Sequence, residues 1–504
     1  MAKNTLMLYV RMFLLILVQL YTVPVILKNL GVEDYGIYNV VGGVVTLFSF
    51  VGGSLASGTQ RFLSYAIGKG DDCLIKSVFN NTWTIYMGFA VFLLIVLEIG
   101  GMWFLNTQMN IPEQRLDTAN WVFQLSLLAF LINLVSIPYN STIIAHEQMS
   151  FYAYVSILEC FLKLGAAVAL TFLYGDKLLV YAVLVCAVSI IIRMVYRSYC
   201  VRNFSECKNV SLHYDSRMGK SLIAYSGWNV IGSVAMILRT QGINIVLNVF
   251  FGPLLNAAHS IAQQISGVLT QFINNVYMAT RPQITKKYAQ GDVGGMWGLV
   301  FHSNKLAFFL LLYLGIPTVV ELSSILAWWI PNAPEYTVII SRLLILSLLA
   351  ETLINQIIGA FQAVNRIKTY QLYASTILIL NVPASYFVLK YAYTIPCAPY
   401  IVSLILSFIY IVSIIYIAWH EIGMDVKAYV HKVLFPSVMV ALLAFGVTFG
   451  LSSHWEPGIS RVIITLATST AMVTLFSWSI GLDRTERTFI MNIIKQKTKK
   501  IRSR

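Results

Sequence analysis

Arg239 stands in "SVAMILRTQGINIVLNVFFGP", an apolar stretch from Ser233 to Pro253 that is long enough to cross a bilayer. A guanidinium at the centre of such a helix costs about 2.5–3.5 kcal/mol even on the lenient insertion scale. It lies nineteen residues beyond Lys220, too deep to snorkel comfortably to either face. Thr240, Gln241 and Asn244 flank it, with Asn248 one turn on, and a lipid-facing stripe would not hold them. The planar fork of arginine matches phosphate oxygens bidentately, so Arg239, Gln241 and Asn244 are candidate ligands for an anionic substrate. The alternative is a structural ion pair with Glu159 or Glu351.

Five other cations lie within or at the edges of apolar runs: Arg11, Lys163, Arg193, Lys305 and Arg342. Arg193 is four residues from Arg197 at a helix end and is read as snorkelling. Arg11, Lys163, Lys305 and Arg342 join the candidate substrate-binding set, with snorkelling or local pairing as the competing role. The embedded acids are Glu98, Glu159, Glu321 and Glu351. Glu159 and Lys163 are i and i+4, with Glu first, which suits a mutually neutralised pair or a cavity-facing lysine tuned by its neighbour. Glu159 and Glu351 are the candidates for binding a coupling ion or proton. Glu98 and Glu321 read as interfacial, since Trp103, Trp328 and Trp329 follow them as in an aromatic belt. Gln263, Gln264, Gln271, Asn274 and Asn275 recur in one run, and Asn133, Asn140, Asn355, Gln356 and Asn381 in others. They suit a wet cavity for hydroxyls or hydrogen bonds between helices.

These groups must be positioned by membrane helices. The 504 residues are 58% hydrophobic and 11% charged, against about 25% charged in soluble domains. Mean hydropathy is +0.73. Runs of about 20 apolar residues give about 14 expected helices, near 6–27, 36–58, 80–103, 119–141, 151–173, 178–200, 221–249, 255–279, 298–325, 337–362, 370–389, 396–418, 433–452 and 460–481. The first run is read as a retained helix, being too long for a signal-peptide core. With the N-terminus in the cytoplasm, alternating loops and the tail carry 24 Lys and Arg inside and 5 outside. The positive-inside rule then expects both termini in the cytoplasm. The basic tail reads as an anchor on anionic membrane lipid, not as a nucleic-acid arm.

The chain also repeats itself. "TQRFLSYAIGKGD" from Thr59 matches "TRPQITKKYAQGD" from Thr280 at an offset of 221. The same offset maps Gly31 onto Gly252 and "LSLLA" at 125–129 onto 346–350. An offset of 222 maps "NIPE" at 110–113 onto "NAPE" at 332–335, and "LIN" at 131–133 onto 353–355. The expected organisation is an all-α membrane protein with a six-helix lobe over 1–200, a cytoplasmic linker over 201–220 and a second six-helix lobe over 221–420. Helices 13 and 14 follow over 421–483, then a basic tail over 484–504. Two even-numbered parallel repeats predict a pseudo-two-fold along the membrane normal and a cavity between the lobes.

Several chemistries are disfavoured. The six cysteines show neither a disulfide framework nor zinc spacing. No GxxxxGK[ST] loop occurs, and the loops are too short for a catalytic or nucleotide-binding domain. No cofactor or metal is expected, and the chain does not read as an enzyme.

The segment "VPVILKNLGVEDYGIYNVVGGVVTLFSFVGGSLASGTQRFLSYAIGKGD" (23–71) resembles the N-terminal signature of bacterial polysaccharide exporters of the multidrug/oligosaccharidyl-lipid/polysaccharide (MOP) superfamily, which includes the MATE transporters. The marks are a Leu-Gly turn ending helix 1, a Tyr35-Gly36-Ile37-Tyr38 entry to helix 2, and an arginine, Arg61, at the inner end of helix 2. The resemblance runs over the whole chain, which looks like the Wzx-type lipid-linked oligosaccharide flippase branch. It implies a 6+6+2 helical fold in the bacterial inner membrane. It also implies export of an undecaprenyl-pyrophosphate-linked repeat unit, of O-antigen, capsule or another surface glycan, by alternating access. A polysaccharide polymerase and glycosyltransferases of the same pathway are the candidate partners. The rival readings are a cation-coupled drug exporter or a lipid II flippase of the same superfamily and, in a different class, a membrane glycan polymerase or ligase.

Overall fold

The computed structural model describes residues 2–46, 48–107, 112–212, 214–251, 253–330, 334–392, 395–484, 486–488 and 491. Asn110, Gly252, Asn332 and the tail from 492 lie outside the described residues, as do the side chains of Gln19, Tyr35 and Asn248. Among the described residues the chain is helical without a strand. The order is α1 (Ala2–Thr46), α2 (Ser49–Lys69), α3 (Asp72–Val96), α4 (Met102–Thr107), α5 (Glu113–Ala145), α6 (Met149–Ala169) and α7 (Lys177–Asn203). Then come α8 (Ser216–Phe251), α9 (Pro253–Ala289), α10 (Val293–Trp329), α11 (Thr337–Thr352), α12 (Asn355–Val364), α13 (Ile367–Tyr391) and α14 (Ala398–Ile422). Last are α15 (Val426–Tyr429), α16 (Phe435–Ser452) and α17 (Ile459–Phe476).

Among the described residues ten helical stretches are long and apolar enough to cross a membrane, or eleven if the bent pair α11–α12 is one span. The expected spans over α1, α2 and α9 do not reach that measure. In α9 the reason is its row of Gln, Asn and His side chains, and in α2 its Gly, Ser, Thr and Gln content. In α1 the apolar stretch that registers is Met7–Val18.

The Leu-Gly turn is real. Gly31 takes φ 80° and ψ 171°, a conformation closed to L side chains, and breaks α1 in two. The repeat also has a structural counterpart. α2 ends on Gly70 at φ 68°, and α9 ends before Gly291 at φ 79°, 221 residues later. Each glycine is followed by an aspartate. Asp71 caps α3 by accepting from the Leu74 amide at 3.0 Å, and Asp292 pairs with Lys287 at 2.8 Å.

The chain divides into two compact units, 1–233 with 285–292 and 234–284 with 293–504. The expected lobe boundary was the 201–220 linker, whereas the units part inside α8, which runs unbroken from Ser216. The first half of α8 is packed on α2. A Cβ on Gly58 would come 2.8 Å from Ser226 Oγ, Phe62 meets Tyr225 edge-on at 5.8 Å, and Ser54 bonds Ser233 at 3.3 Å. The linker itself is fastened to α3. Asn81 accepts from the Asp215 amide at 2.7 Å, and Asn80 accepts from the Ser211 amide at 3.4 Å. The last turn of α9 belongs to this first unit too. Gly68 lets it approach so closely that a Cβ would sit 2.8 Å from Ala289 Cβ and 2.9 Å from Lys286 Cα. Lys286 adds an ion pair to Glu147 at 2.8 Å.

In the second unit, α11 and α12 meet at a 40° bend. Two carbonyls at the bend are satisfied from neighbouring helices: Tyr277 of α9 donates to Thr352 O and Tyr429 of α15 to Leu353 O. The Gln356 amide donates to Asn304 Oδ1 of α10 at 3.0 Å. Backbone groups freed inside a membrane must find such partners, since no water is there to take them.

Candidate functional site

In the first unit, α6 turns one face inward. Tyr152, Ser156, Glu159 and Lys163 recur at steps of four, three and four, the spacing of a helical stripe. They line a cavity of about 460 Å³ with Arg11 of α1 and Asn140 of α5. Lys163 Nζ donates to Glu159 Oε1 at 2.6 Å. The Arg11 guanidinium lies 4.8 Å from the centroid of the Tyr152 ring, a cation–π arrangement that supports a positive charge without neutralising it. Arg11 Nε and Asn140 Oδ1 are buried and have no hydrogen-bond partner among the described residues. The cavity therefore offers two cations, one carboxylate and polar atoms not yet committed. An arrangement of that kind can hold an anion whose oxygens accept several N–H bonds at once.

A second chamber of about 410 Å³ adjoins the first. Asn133, Ile137 and Lys163 line both, so Lys163 stands on the shared wall. The remainder of this chamber is mainly apolar, with Phe130, Ala129 and Val185 among its walls and Gly42, Gly52 and Gly53 widening it.

The second unit treats its embedded charges differently. Arg239 Nη1 donates to Glu351 Oε1 at 2.9 Å, and Ser407 donates to the same oxygen at 2.8 Å. Asn381, Ser403 and Tyr410 complete the surroundings of a space of only about 10 Å³, at the lower limit for one water. The guanidinium is thus committed within its own unit. Of its expected co-ligands, Gln241 is exposed, and Asn244 accepts from Asn256 of α9 at 2.9 Å, which ties α8 to α9.

Lys305 is buried and donates to Glu486 Oε2 at 2.6 Å, with His302 on the other oxygen. Glu486 and Asp483 each accept the other's backbone amide at 2.8 Å, so the segment after α17 is clasped to α10. Burial raises the Glu486 carboxyl, but the bonds from His302, Lys305 and the Asp483 amide outweigh it and hold it below the usual carboxylate value. Arg342 Nε donates to Val319 O at 3.0 Å, beside the non-helical Glu321 of α10. The structure thus brings Arg11, Lys163 and Glu159 together and leaves Arg239, Lys305 and Arg342 each with a local partner.

The two acids read as interfacial each have a partner. Glu321 is 2% exposed and accepts from Arg461 Nε and Thr465 Oγ1 of α17, each at 2.8 Å. Glu98, in a π-helical turn (Leu97–Gly101), accepts from Gln124 at 3.0 Å. Tyr152 and Glu486 were missed from sequence. The i+4 spacing of Tyr152, Ser156 and the Glu159/Lys163 stripe could have flagged the first. Nothing local flags Glu486, whose partner is 181 residues away.

Residues 1–287 match the family of polysaccharide biosynthesis proteins. Among curated proteins the chain is 21% identical over 294 residues to the uncharacterized membrane protein EpsK of Bacillus subtilis (strain 168), covering 58% of this chain and 57% of that one. The match thus spans just over half the length of that relative. Among solved structures, a MOP superfamily transporter from Pyrococcus furiosus Vc1 (DSM3638), described as having a reverse polarity of binding pocket, superposes with a TM-score of 0.66 at 14% identity. It covers 85% of this chain and 96% of the other. The MATE transporter ClbM in complex with Rb+ gives 0.67 at 14% identity, with coverage of 85% and 96%. A MATE transporter in the bent conformation gives 0.66 at 16% identity, with coverage of 82% and 93%. At these identities the structural likeness establishes the fold.

Proposed function

The chain belongs to the polysaccharide biosynthesis protein family and has the fold of the MOP transporters, and from that premise we propose that it flips a lipid-linked oligosaccharide across the bacterial inner membrane. The cargo is an undecaprenyl-pyrophosphate-linked repeat unit of a surface glycan. Its diphosphate-sugar head enters from the cytoplasm while the polyprenyl chain stays in lipid, and alternating access releases the head outside. No bond is made or broken. Both termini are cytoplasmic in this reading, which the loop charges of 24 against 5 support.

The observation that carries the proposal is the Arg11–Lys163 cavity. Two cations face one carboxylate there, and a buried arginine Nε has a bond left to give. An exporter of organic cations would want the opposite balance. Arg11 and Lys163 bind the diphosphate, and Asn140 meets a sugar hydroxyl. Arg239 keeps the role of ion-pair partner to Glu351, and Lys305 and Arg342 support their own helices. Glu159, a third exposed beside the cavity, is the carboxylate placed to take a coupling proton, since Glu351 already accepts from two groups.

The test is gene deletion in the source bacterium, complemented by wild type, Arg11→Gln or Lys163→Gln at matched protein levels. Surface glycan should fall and the lipid-linked intermediate accumulate on the inner leaflet in the deletion and in both variants. Unchanged surface glycan in the deletion strain, with no second exporter present, would sink the proposal.

A further inference from the structure

The two chambers of the first unit share three residues but differ in chemistry. In the chamber of Arg11, polar atoms are left over: Arg11 Nε and Asn140 Oδ1 have no hydrogen-bond partner among the described residues. In the adjoining chamber the amide N–H of Asn133 and the hydroxyl of Ser189 are already engaged. Asn133 Nδ2 donates to Ser189 Oγ at 3.5 Å, and Ser189 Oγ donates in turn to Val185 O at 3.3 Å. The rest of that wall is mainly apolar, including Phe130, Ala129 and Val185, with Ser126 and Tyr38 as its other polar side chains. It is open where side chains are missing. A Cβ on Gly42 or on Gly53 would meet nothing within 4 Å. Among the described residues Lys163 is the one basic side chain on its wall, and it stands where the two chambers meet.

A ligand complementary to both chambers is anionic at one end and hydrocarbon at the other, with the charge next to the join. We propose that the chambers are two halves of one amphiphile site: Arg11 and Lys163 hold the phosphate of a polyprenyl diphosphate, and the space beside Gly42 and Gly53 takes its first isoprene units. This rests on the lipid-linked diphosphate reading above and adds that the protein itself, not lipid alone, holds the start of the prenyl chain. A chamber of about 410 Å³ falls in the range of small-molecule pockets and is far too small for the whole prenyl chain, so only the units nearest the phosphate are recognised. Recognition then depends on the junction between phosphate and isoprenoid, whichever sugar follows.

The probes are inorganic pyrophosphate and geranyl diphosphate, measured by equilibrium binding to the full-length protein in nanodiscs, with empty nanodiscs correcting for partition. The wild type should bind geranyl diphosphate at least about tenfold more tightly than pyrophosphate, equivalent to about 1.4 kcal/mol. Gly53→Leu and Gly42→Leu fill open space, so each should remove that advantage while leaving pyrophosphate affinity unchanged. Ala129→Leu is a third filler for use if a glycine variant does not fold. Lys163→Gln should weaken both probes together. Equal wild-type affinity for the two probes overturns the inference and leaves the flippase reading standing, because export is scored separately. A geranyl advantage that survives all the folded fillers overturns it as well. Absence of binding for both probes counts against this inference and against the cationic cavity as the head-group site.

Discussion

Arg239 Nη1 lies 2.9 Å from Glu351 Oε1, and both side chains are largely buried, at 13% and 18% exposure. The pair spans α8 and α11, and Ser407 of α14 joins it on the same oxygen. Removing one member leaves an uncompensated buried charge, whereas removing both leaves an apolar contact. Arg239→Ala should therefore destabilise the protein by about 3–5 kcal/mol, and Arg239→Met with Glu351→Met should recover most of that. Thermal unfolding in detergent measures it. An Arg239→Ala protein with wild-type stability and no export would instead return Arg239 to the substrate.

At Lys163 and Arg11 the expectation is reversed. Neither neutralises a fully buried acid, so Lys163→Gln and Arg11→Gln should leave the melting temperature within about 2 °C of wild type. Export should fall by about tenfold or more, as expected for the loss of about 1.4 kcal/mol or more of phosphate binding. Lys163→Arg should retain more export than Lys163→Gln. Vesicle transport of a fluorescent lipid-linked glycan reads this directly.

Gly68 tests the approach of α2 to the last turn of α9. A Cβ there would stand 2.9 Å from the Lys286 backbone, which cannot swing aside as a side-chain tip could. Gly68→Val should cost about 1–3 kcal/mol. Gly70→Ala, at φ 68°, should also destabilise, but through backbone strain and with no change in the spacing of the two helices. Distances between spin labels on Lys69 of α2 and Gln290 would separate the two effects, since only Gly68→Val should lengthen them.

The clasp of Glu486 gives a pH dependence. Its carboxyl lies below the ordinary value when folded, because the bonds from His302, Lys305 and the Asp483 amide outweigh burial. A depressed folded pKa contributes stability that is complete above the unfolded value of about 4.3 and is lost as pH falls through the folded value. Wild type should lose protection of the 477–488 segment from proteolysis as pH falls below about 4.3. Glu486→Gln should show reduced protection already at pH 7 and little further change on acidification. Equal protection of both proteins at every pH would remove the clasp from the stability of that segment.

The elements were legible because period and turn chemistry are local. The Leu-Gly turn, the repeated Gly-Asp corner at 70–71 and 291–292, and most apolar runs appear where hydropathy and glycine put them. Glu159 and Lys163 were legible for the same reason, being one helical turn apart. Pairings across the chain were not. Arg239 had two candidate acids, and which one it meets depends on how α8 and α11 pack, which periodicity does not encode. The unit boundary inside α8 was hidden because a long unbroken helix gives no sign of which neighbour each half chooses. Arg115 was counted only as an outer loop charge. It joins Asp34 at 2.8 Å and Asp176 at 2.9 Å, and so ties the start of α5 to the α1 turn and to the cap of α7.

The bend between α11 and α12 has a mechanical meaning of its own. The two carbonyls it exposes are held by hydroxyls from α9 and α15. A helix break whose free groups met water could flex, trading one solvent partner for another. Rotation at this one strips Tyr277 and Tyr429 of the acceptors they hold, both hydroxyls being buried where an unmade bond is costly. The bend is a welded corner, and when α12 moves, α9 and α15 must travel with it as one piece.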